Sequence, residues 1–276
     1  MLELSFCNEL LDGEGLSLRE QAELAVALGY AGLELAPATL GPEPHRLDAG
    51  HVADLRRSVE ATGARITGLH WLLSGYPGLS ITDRAQWDST RAVLIGLVDL
   101  CARLGGRVLV HGSPGQRPRP PGLTDDELTQ FLADFFAPVA EAAQAAGVVY
   151  CIEPLARQET ATITTIAEAA ALVEAIDLPA FRTMIDCKAA GLQEPQVSDR
   201  IRDWVPTGLI GHIHANDTNL GAPGMGNDPF HDIVRALVDT GWSGTVGVEP
   251  FRTCVDARIT AAIGIATLRS CERALA

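Results

Sequence analysis

Eight short apolar runs alternate strictly with longer stretches of helical periodicity, and this alternation restricts the fold more than any other feature of the chain. The runs are LELSFCN from Leu2, GLELAP from Gly32, RITGLHWLL from Arg65, RVLVHGS from Arg107, VVYCIEP from Val148, FRTMIDC from Phe181, LIGHIHAND from Leu209 and TVGVEPF from Thr245. Between them lie segments such as SLREQAELAVALGY from Ser17, TRAVLIGLVDLCARLG from Thr90 and DELTQFLADFFAPVAEAAQAAG from Asp126. Glycines at 63, 105 or 106, 147, 208 and 244 stand just before strands and read as stops or turns. Such alternation predicts parallel strands joined by crossover helices. Eight units favour a closed (β/α)8 barrel over an open doubly wound sheet. The open sheet leaves two edges and usually carries a glycine-rich nucleotide loop after its first strand, and no GxGxxG follows Cys7-Asn8. The 276 residues suit one such barrel, for which about 250 are typical. No break in composition marks a second domain, so residues 1–276 read as a single unit.

Composition narrows the partners. The net charge is −14, and no basic stripe is present to neutralise phosphates, which argues against a nucleic-acid partner. No stretch approaches the ~20 apolar residues of a membrane span, and MLELSFCNEL lacks the basic start and apolar run of a signal peptide. Cys7, Cys101, Cys151, Cys187, Cys254 and Cys271 are widely separated with no CxxC pair, so they read as reduced thiols of a cytoplasmic protein. A homo-oligomer is compatible with all of this.

In α/β barrels the active site lies at the C-terminal ends of the strands. Here those ends carry charged or ligating groups immediately after apolar runs: Glu153 on the fifth, Asp186 on the sixth, His212 and His214 on the seventh, Glu249 on the eighth. Side chains alternate along a strand, so His212 and His214 face the same way. Carboxylates and an imidazole converging from four adjacent strands repel unless a cation sits among them. A mixed Glu/Asp/His shell suits one divalent ion: Mn²⁺, Mg²⁺, Co²⁺ or Zn²⁺. His212, one strand period deeper, is expected to face the interior beneath the metal without ligating it. Glu34, at the end of the second run, reads as a group pointing into the mouth, and Trp71 equally as a wall of the substrate site or a core residue. The Pro-rich segment Pro114–Gly122 reads either as a stiff surface excursion or as a lid. GAPGMGN at 221–227 reads as a turn ahead of a phosphate loop.

The IEP at Glu153, the ID at Asp186, GHIHANDTN at 211–219 and VEPF at 248–251 resemble the sugar-phosphate isomerase/epimerase family. This is the xylose-isomerase-like TIM barrel superfamily, which includes ketose 3-epimerases, hydroxypyruvate isomerases, inosose dehydratases and endonuclease IV. The resemblance runs through the whole chain in strand order. It implies metal ligands at Glu153, Asp186, His214 and Glu249, with the two glutamates doubling as the acid/base pair. It also implies a substrate-binding role for Glu159. The segments around His70 (GLHWLL) and His111 (VHGSPGQR) resemble ones that line the same mouth, which places both histidines at the substrate. Two positions depart from the ketose 3-epimerase pattern: Ala189 stands where a histidine is expected and Leu220 where an arginine is. Lys188, Asn216, Asn219, Gln116 or Arg117 could supply the missing contacts.

Chemistry follows from such a site. A carboxylate in water removes a proton next to a carbonyl only slowly, and a metal stabilises the charge that develops. The leading expectation is an isomerase or epimerase of a sugar, keto acid or polyol. A lyase acting on a keto-polyol or an oxidised glycoside would use the same groups. An endonuclease IV-like phosphodiesterase is disfavoured by the acidic charge.

Overall fold

The computed structural model describes residues 1–193 and 196–275. Eight parallel strands close into a barrel in chain order: β1 (Glu3–Cys7), β2 (Gly32–Leu35), β3 (Arg65–Leu69), β4 (Val108–His111), β5 (Val149–Ile152), β6 (Phe181–Asp186), β7 (Ile210–Ala215) and β8 (Thr245–Val248). β1 closes the ring by pairing with β8, Phe6 opposite Val248. All eight apolar runs of the sequence are strands, and helices fill the intervals.

Local chemistry sets the helix ends. Ser17 caps Leu18–Leu28 through a reciprocal box with Glu20, and Thr124 caps Asp125–Ala146 with Glu127 in the same way. Gly147 ends the latter helix in a left-handed conformation (φ 70). In the last unit the left-handed residue is Gly241 (φ 69), three residues before the Gly244 expected from sequence.

Side-chain alternation separates two apolar layers. Leu109, Tyr150, Ile152, Phe181 and Ile185 pack outward with the helices in the main core. Val108, Val110, Cys151 and Met184 form a separate small cluster, the plug inside the barrel. This parity fixes the mouth. The next inward positions above the plug are Gly112, Glu153 and Asp186. Among the described residues no helix is long and apolar enough to cross a membrane. Cys7, Cys101, Cys151, Cys187, Cys254 and Cys271 are all free thiols.

Candidate metal centre

Glu153, Asp186, His214 and Glu249 meet at the mouth: one donor atom from each lies within 4.8 Å of the others, and all four side chains are buried. Gly112 makes room for Glu153. A Cβ on it would lie 2.2 Å from Glu153 Oε2, so any side chain there would displace the carboxylate. Asp186 is held by two donors, the Ala189 amide (2.7 Å) and the Asn216 side-chain amide (2.6 Å). Asn216 Oδ1 in turn accepts from the Lys188 amide at 2.8 Å, which fixes the orientation of its side chain.

Beneath this group, Glu34 clamps both histidines of β7. Its Oε2 faces His212 Nε2 at 2.9 Å and its Oε1 faces His214 Nε2 at 3.0 Å, with no exposure to solvent. Gly247 keeps this space open: a Cβ there would come within 2.9 Å of both Glu34 Oε2 and the His214 ring. Burial alone would raise the Glu34 carboxyl, but His212 and His214 hold it well below the usual range. An ionised carboxylate only accepts, so both Nε2 atoms carry the protons. The other nitrogen of His214, Nδ1, is buried and faces Glu249 Oε2 at 3.0 Å; it offers a lone pair to a cation once its proton leaves. An imidazole whose far nitrogen is held by a carboxylate and whose near nitrogen faces three carboxylates is the arrangement of a metal-ligating histidine. The residues present fit a divalent cation. His212 lies one period deeper, as its position in the strand predicts. Glu34 is a buried support and not the mouth-facing group read from sequence.

The five expected substrate contacts are distributed differently. His70 is fully buried between two carboxylates, its Nδ1 3.1 Å from Glu249 Oε1 and its Nε2 2.9 Å from Glu9 Oε2. It therefore braces Glu249, and Glu9 joins the group without any signal in the sequence. Glu159 stands at the mouth, its Oε2 accepting from the Ala156 amide and its Oε1 from Lys188 Nζ at 2.8 Å. Lys188 is itself buried and lies 4.6 Å from the centre of the Phe251 ring. Arg117 is fully buried behind the site and donates to the Glu153 carbonyl at 2.8 Å. It anchors the first half of the Pro-rich segment, while Pro118, Arg119, Pro121 and Gly122 are exposed, as a stiff surface excursion would be. His111 does not line the mouth. It faces outward on β4, its ring packed edge-on against Phe136 and its Nδ1 2.6 Å from the Tyr150 hydroxyl. The inward position that sequence assigned to His111 belongs to Gly112. The 221–227 loop is the expected turn: its Gly226 amide is taken by Asp217 and its Met225 carbonyl by Asn219.

Electrostatics split the carboxylates. Burial, with Glu249 and Asp186 beside it, pushes Glu153 up to about 8. Asp186 is also raised by burial, and Glu249 opposes the relief that Lys188 gives it. Glu249 goes the other way: burial would raise it, but His214 and His70 hold it below the ordinary value. Burial would lower both His70 and His214, yet the facing carboxylates hold them well above the usual imidazole range. His111, buried and near Arg117, falls to about 3 and is neutral.

The clamp makes a ranking. His214→Asn should abolish tight binding of a divalent ion, since the imidazole of the four-residue group is lost. Glu34→Gln and His212→Asn should each weaken it about 10- to 100-fold, the usual cost of removing a group that orients a ligand. Titration of the apoprotein with Mn²⁺ checks this order, and a larger loss in His212→Asn than in His214→Asn would reverse the assignment.

The sequence model described as xylose isomerase-like TIM barrel matches residues 22–271. D-psicose 3-epimerase of Agrobacterium fabrum is 35% identical over 113 residues, 41% of this chain and 38% of that enzyme. The chain thus matches well under half the length of that relative. L-ribulose 3-epimerase of Mesorhizobium japonicum is 30% identical over 64% of this chain and 60% of its own length. Among solved structures, D-psicose 3-epimerase with D-tagatose from Clostridium cellulolyticum H10 superposes with a TM-score of 0.79 at 22% identity, covering 94% of each chain. At that identity the likeness carries the fold.

Proposed function

The chain belongs to the xylose isomerase-like TIM barrel family, and on that footing we propose that it is a divalent-metal-dependent isomerase or epimerase of a sugar, keto acid or polyol. The observation that carries the reading is the buried convergence of Glu153, Asp186, His214 and Glu249 within 4.8 Å. Three carboxylates beside one imidazole, withdrawn from water, can all ionise together only with a cation among them. A divalent ion held there supplies Lewis-acid stabilisation of the charge that builds on a carbonyl oxygen as the neighbouring carbon loses its proton. Glu249, kept ionised by His70 and His214, acts as the base toward a C–H beside the carbonyl. Glu153, the second glutamate of the group, returns a proton from its own side of the substrate; its burial, with Glu249 and Asp186 beside it, favours its protonated form when no ion is bound. Asp186 binds the ion and, fixed by Ala189 and Asn216, does not reorient. Epimerase relatives acting on psicose and ribulose support this chemistry for the class.

The test is metal analysis of the purified protein, followed by NMR of candidate substrates in deuterium oxide. The expected result is about one equivalent of ion per chain and incorporation of deuterium beside a carbonyl. A new unsaturated product without such exchange would make the chain a lyase. Phosphodiester cleavage with neither would overturn the reading.

A further inference from the structure

Lys188 is the only lysine among the 21 Lys and Arg residues of the sequence. A chain that uses guanidinium everywhere else keeps an ammonium at this one place, two residues after the ligand Asp186. The two groups differ in kind: guanidinium is a rigid fork, and ammonium is a compact charge whose three donors turn freely. The backbone that carries it is tied to the centre. The Lys188 amide donates to Asn216 Oδ1 at 2.8 Å, and Asn216 Nδ2 donates to Asp186 at 2.6 Å and to Glu249 at 3.3 Å. The Lys188 side chain is 2% exposed, with its amine between Glu159 Oε1 at 2.8 Å and the Phe251 ring at 4.6 Å. Its charge also reaches Asp186 and Glu153. The ammonium thus stands beside the ligands, and one carboxylate holds it.

A second cation lies near that carboxylate. Arg117 is fully buried, and its Nη1 donates to the Glu153 carbonyl at 2.8 Å. Its Nε and Nη2 are buried without a hydrogen-bond partner among the described residues. These two N–H groups share one edge of the guanidinium, the fork that takes a carboxylate through two parallel bonds. A buried charge left unpaired is costly, so the fold alone gives no reason to keep this one. Two carboxylates act on it, those of Glu153 and Glu159. Glu153 is committed to the ion's shell, its Oε2 filling the space that Gly112 leaves. Glu159 is less tied. Its side chain is 33% exposed, and the next residue, Thr160, donates its hydroxyl to the Arg117 carbonyl at 3.4 Å.

We propose that Glu159 exchanges between the two cations: it holds Lys188 in the free protein, and it enters the fork of Arg117 when substrate oxygens take Lys188. Lys188 is then the specificity-determining donor beside the ion, and Arg117 is a positioning residue that acts through Glu159. The inference rests on the isomerase or epimerase reading. One anion serves two buried cations, which accounts for both states. In the free protein, a move of Glu159 to Arg117 would strand the ammonium beneath Phe251, so the fork stays unpaired. A hydroxyl or carbonyl oxygen of the substrate accepts from the ammonium instead, and the carboxylate gains two bonds in the fork for the one it leaves. Both cations keep their charge throughout, and no proton moves. Ala189 and Leu220 offer no side-chain donor, which leaves this contact to Lys188.

Removing the ammonium tests the exchange without any substrate. In a crystal structure of Lys188→Met, the Glu159 carboxylate should lie within about 3.2 Å of both Nε and Nη2 of Arg117. Glu159 turned to solvent, with the fork still unpaired, would overturn the proposal. The parent protein gives a second measurement, because labelling with ¹³C,¹⁵N-lysine marks Lys188 alone. In the Mg²⁺-loaded protein its side-chain signals should shift on saturation with whichever of D-psicose, D-tagatose and L-ribulose exchanges deuterium fastest. Signals that stay in place would overturn the role of Lys188. In kinetics on the same ketose, Lys188→Met and Arg117→Gln should each raise KM by about tenfold or more with little change in kcat. The double variant should lose no more than either alone, since the two residues act through one carboxylate. Additive losses, or an Arg117→Gln protein that loses thermal stability with KM unchanged, would make Arg117 a structural residue and overturn the exchange. Absence of deuterium exchange by the parent protein on all three ketoses with Mn²⁺, Mg²⁺, Co²⁺ and Zn²⁺ would overturn the isomerase reading and the role of Lys188 with it. The Lys188→Met structure decides separately whether Glu159 moves.

Discussion

Glu249→Gln should lower kcat by about 10²- to 10⁴-fold, the range of a positioned acid or base. The substitution keeps the volume and one acceptor oxygen of the side chain but removes the negative charge. Glu249 has the environment of a base: its carboxyl is held below the ordinary value by His214 and His70, which contact it at 3.0 and 3.1 Å. A neutral amide there cannot take a proton, and His70 and His214 lose the charge that holds them. Glu153→Gln should cause a loss of similar size by a different route, because an amide there cannot return the proton. Both variants also lose part of the ion's shell, so metal content must be measured alongside the rate. Deuterium exchange into a substrate, normalised to bound metal, separates the two effects. Activity within tenfold of the parent in a metal-replete Glu249→Gln protein would remove Glu249 from the proton transfer.

Much of this centre is legible in one sequence, and the physical reason is specific. A charged residue directly after an apolar run has only the strand's end to occupy, and four such residues at 153, 186, 214 and 249 lie on adjacent strands. The spacing of His212 and His214 places them on one face without further information. Side-chain direction on β4 is not legible in the same way. Every residue of Val108–Val110 is apolar, so nothing in the run shows which parity faces inward, and the visible imidazole of His111 drew the assignment. The informative residue was the one with no side chain, Gly112, whose space Glu153 fills. Glu34 was misplaced for a related reason. A lone carboxylate in an apolar strand reads as a mouth residue unless its two histidine partners, about 180 positions away in sequence, are already known to lie beside it. Contacts such as His70 with Glu249 cross the barrel, and no local pattern encodes them.

Metal should stabilise the protein strongly at pH 8 and scarcely at pH 5. Glu153 has a folded-state value of about 8 and an ordinary one near 4.5, so above pH 4.5 the unfolded chain releases a proton that the metal-free folded chain retains. Folding then becomes less favourable as pH rises. Asp186, also raised, acts in the same direction. His70 and His214 are raised above 6.5, so the stability they contribute is complete below that pH and is lost as pH climbs through their folded-state values. Glu249 and Glu34 are depressed, and their contribution is already complete above about pH 5. The metal-free protein should therefore lose on the order of a few kcal/mol between pH 5 and 8. A divalent ion binds where those protons sat, so its affinity rises with pH, by up to about tenfold per unit for each proton displaced. At a hundred times Kd it adds about 2.7 kcal/mol, roughly 5 °C in Tm for a chain of this size. Thermal unfolding in EDTA and in excess Mn²⁺ at pH 5, 6.5 and 8 gives the comparison. The EDTA curve should fall as pH rises and the gap between the curves should widen. A gap that is equal at pH 5 and 8 would show that no proton leaves the carboxylates when the ion enters, and that the ion binds elsewhere.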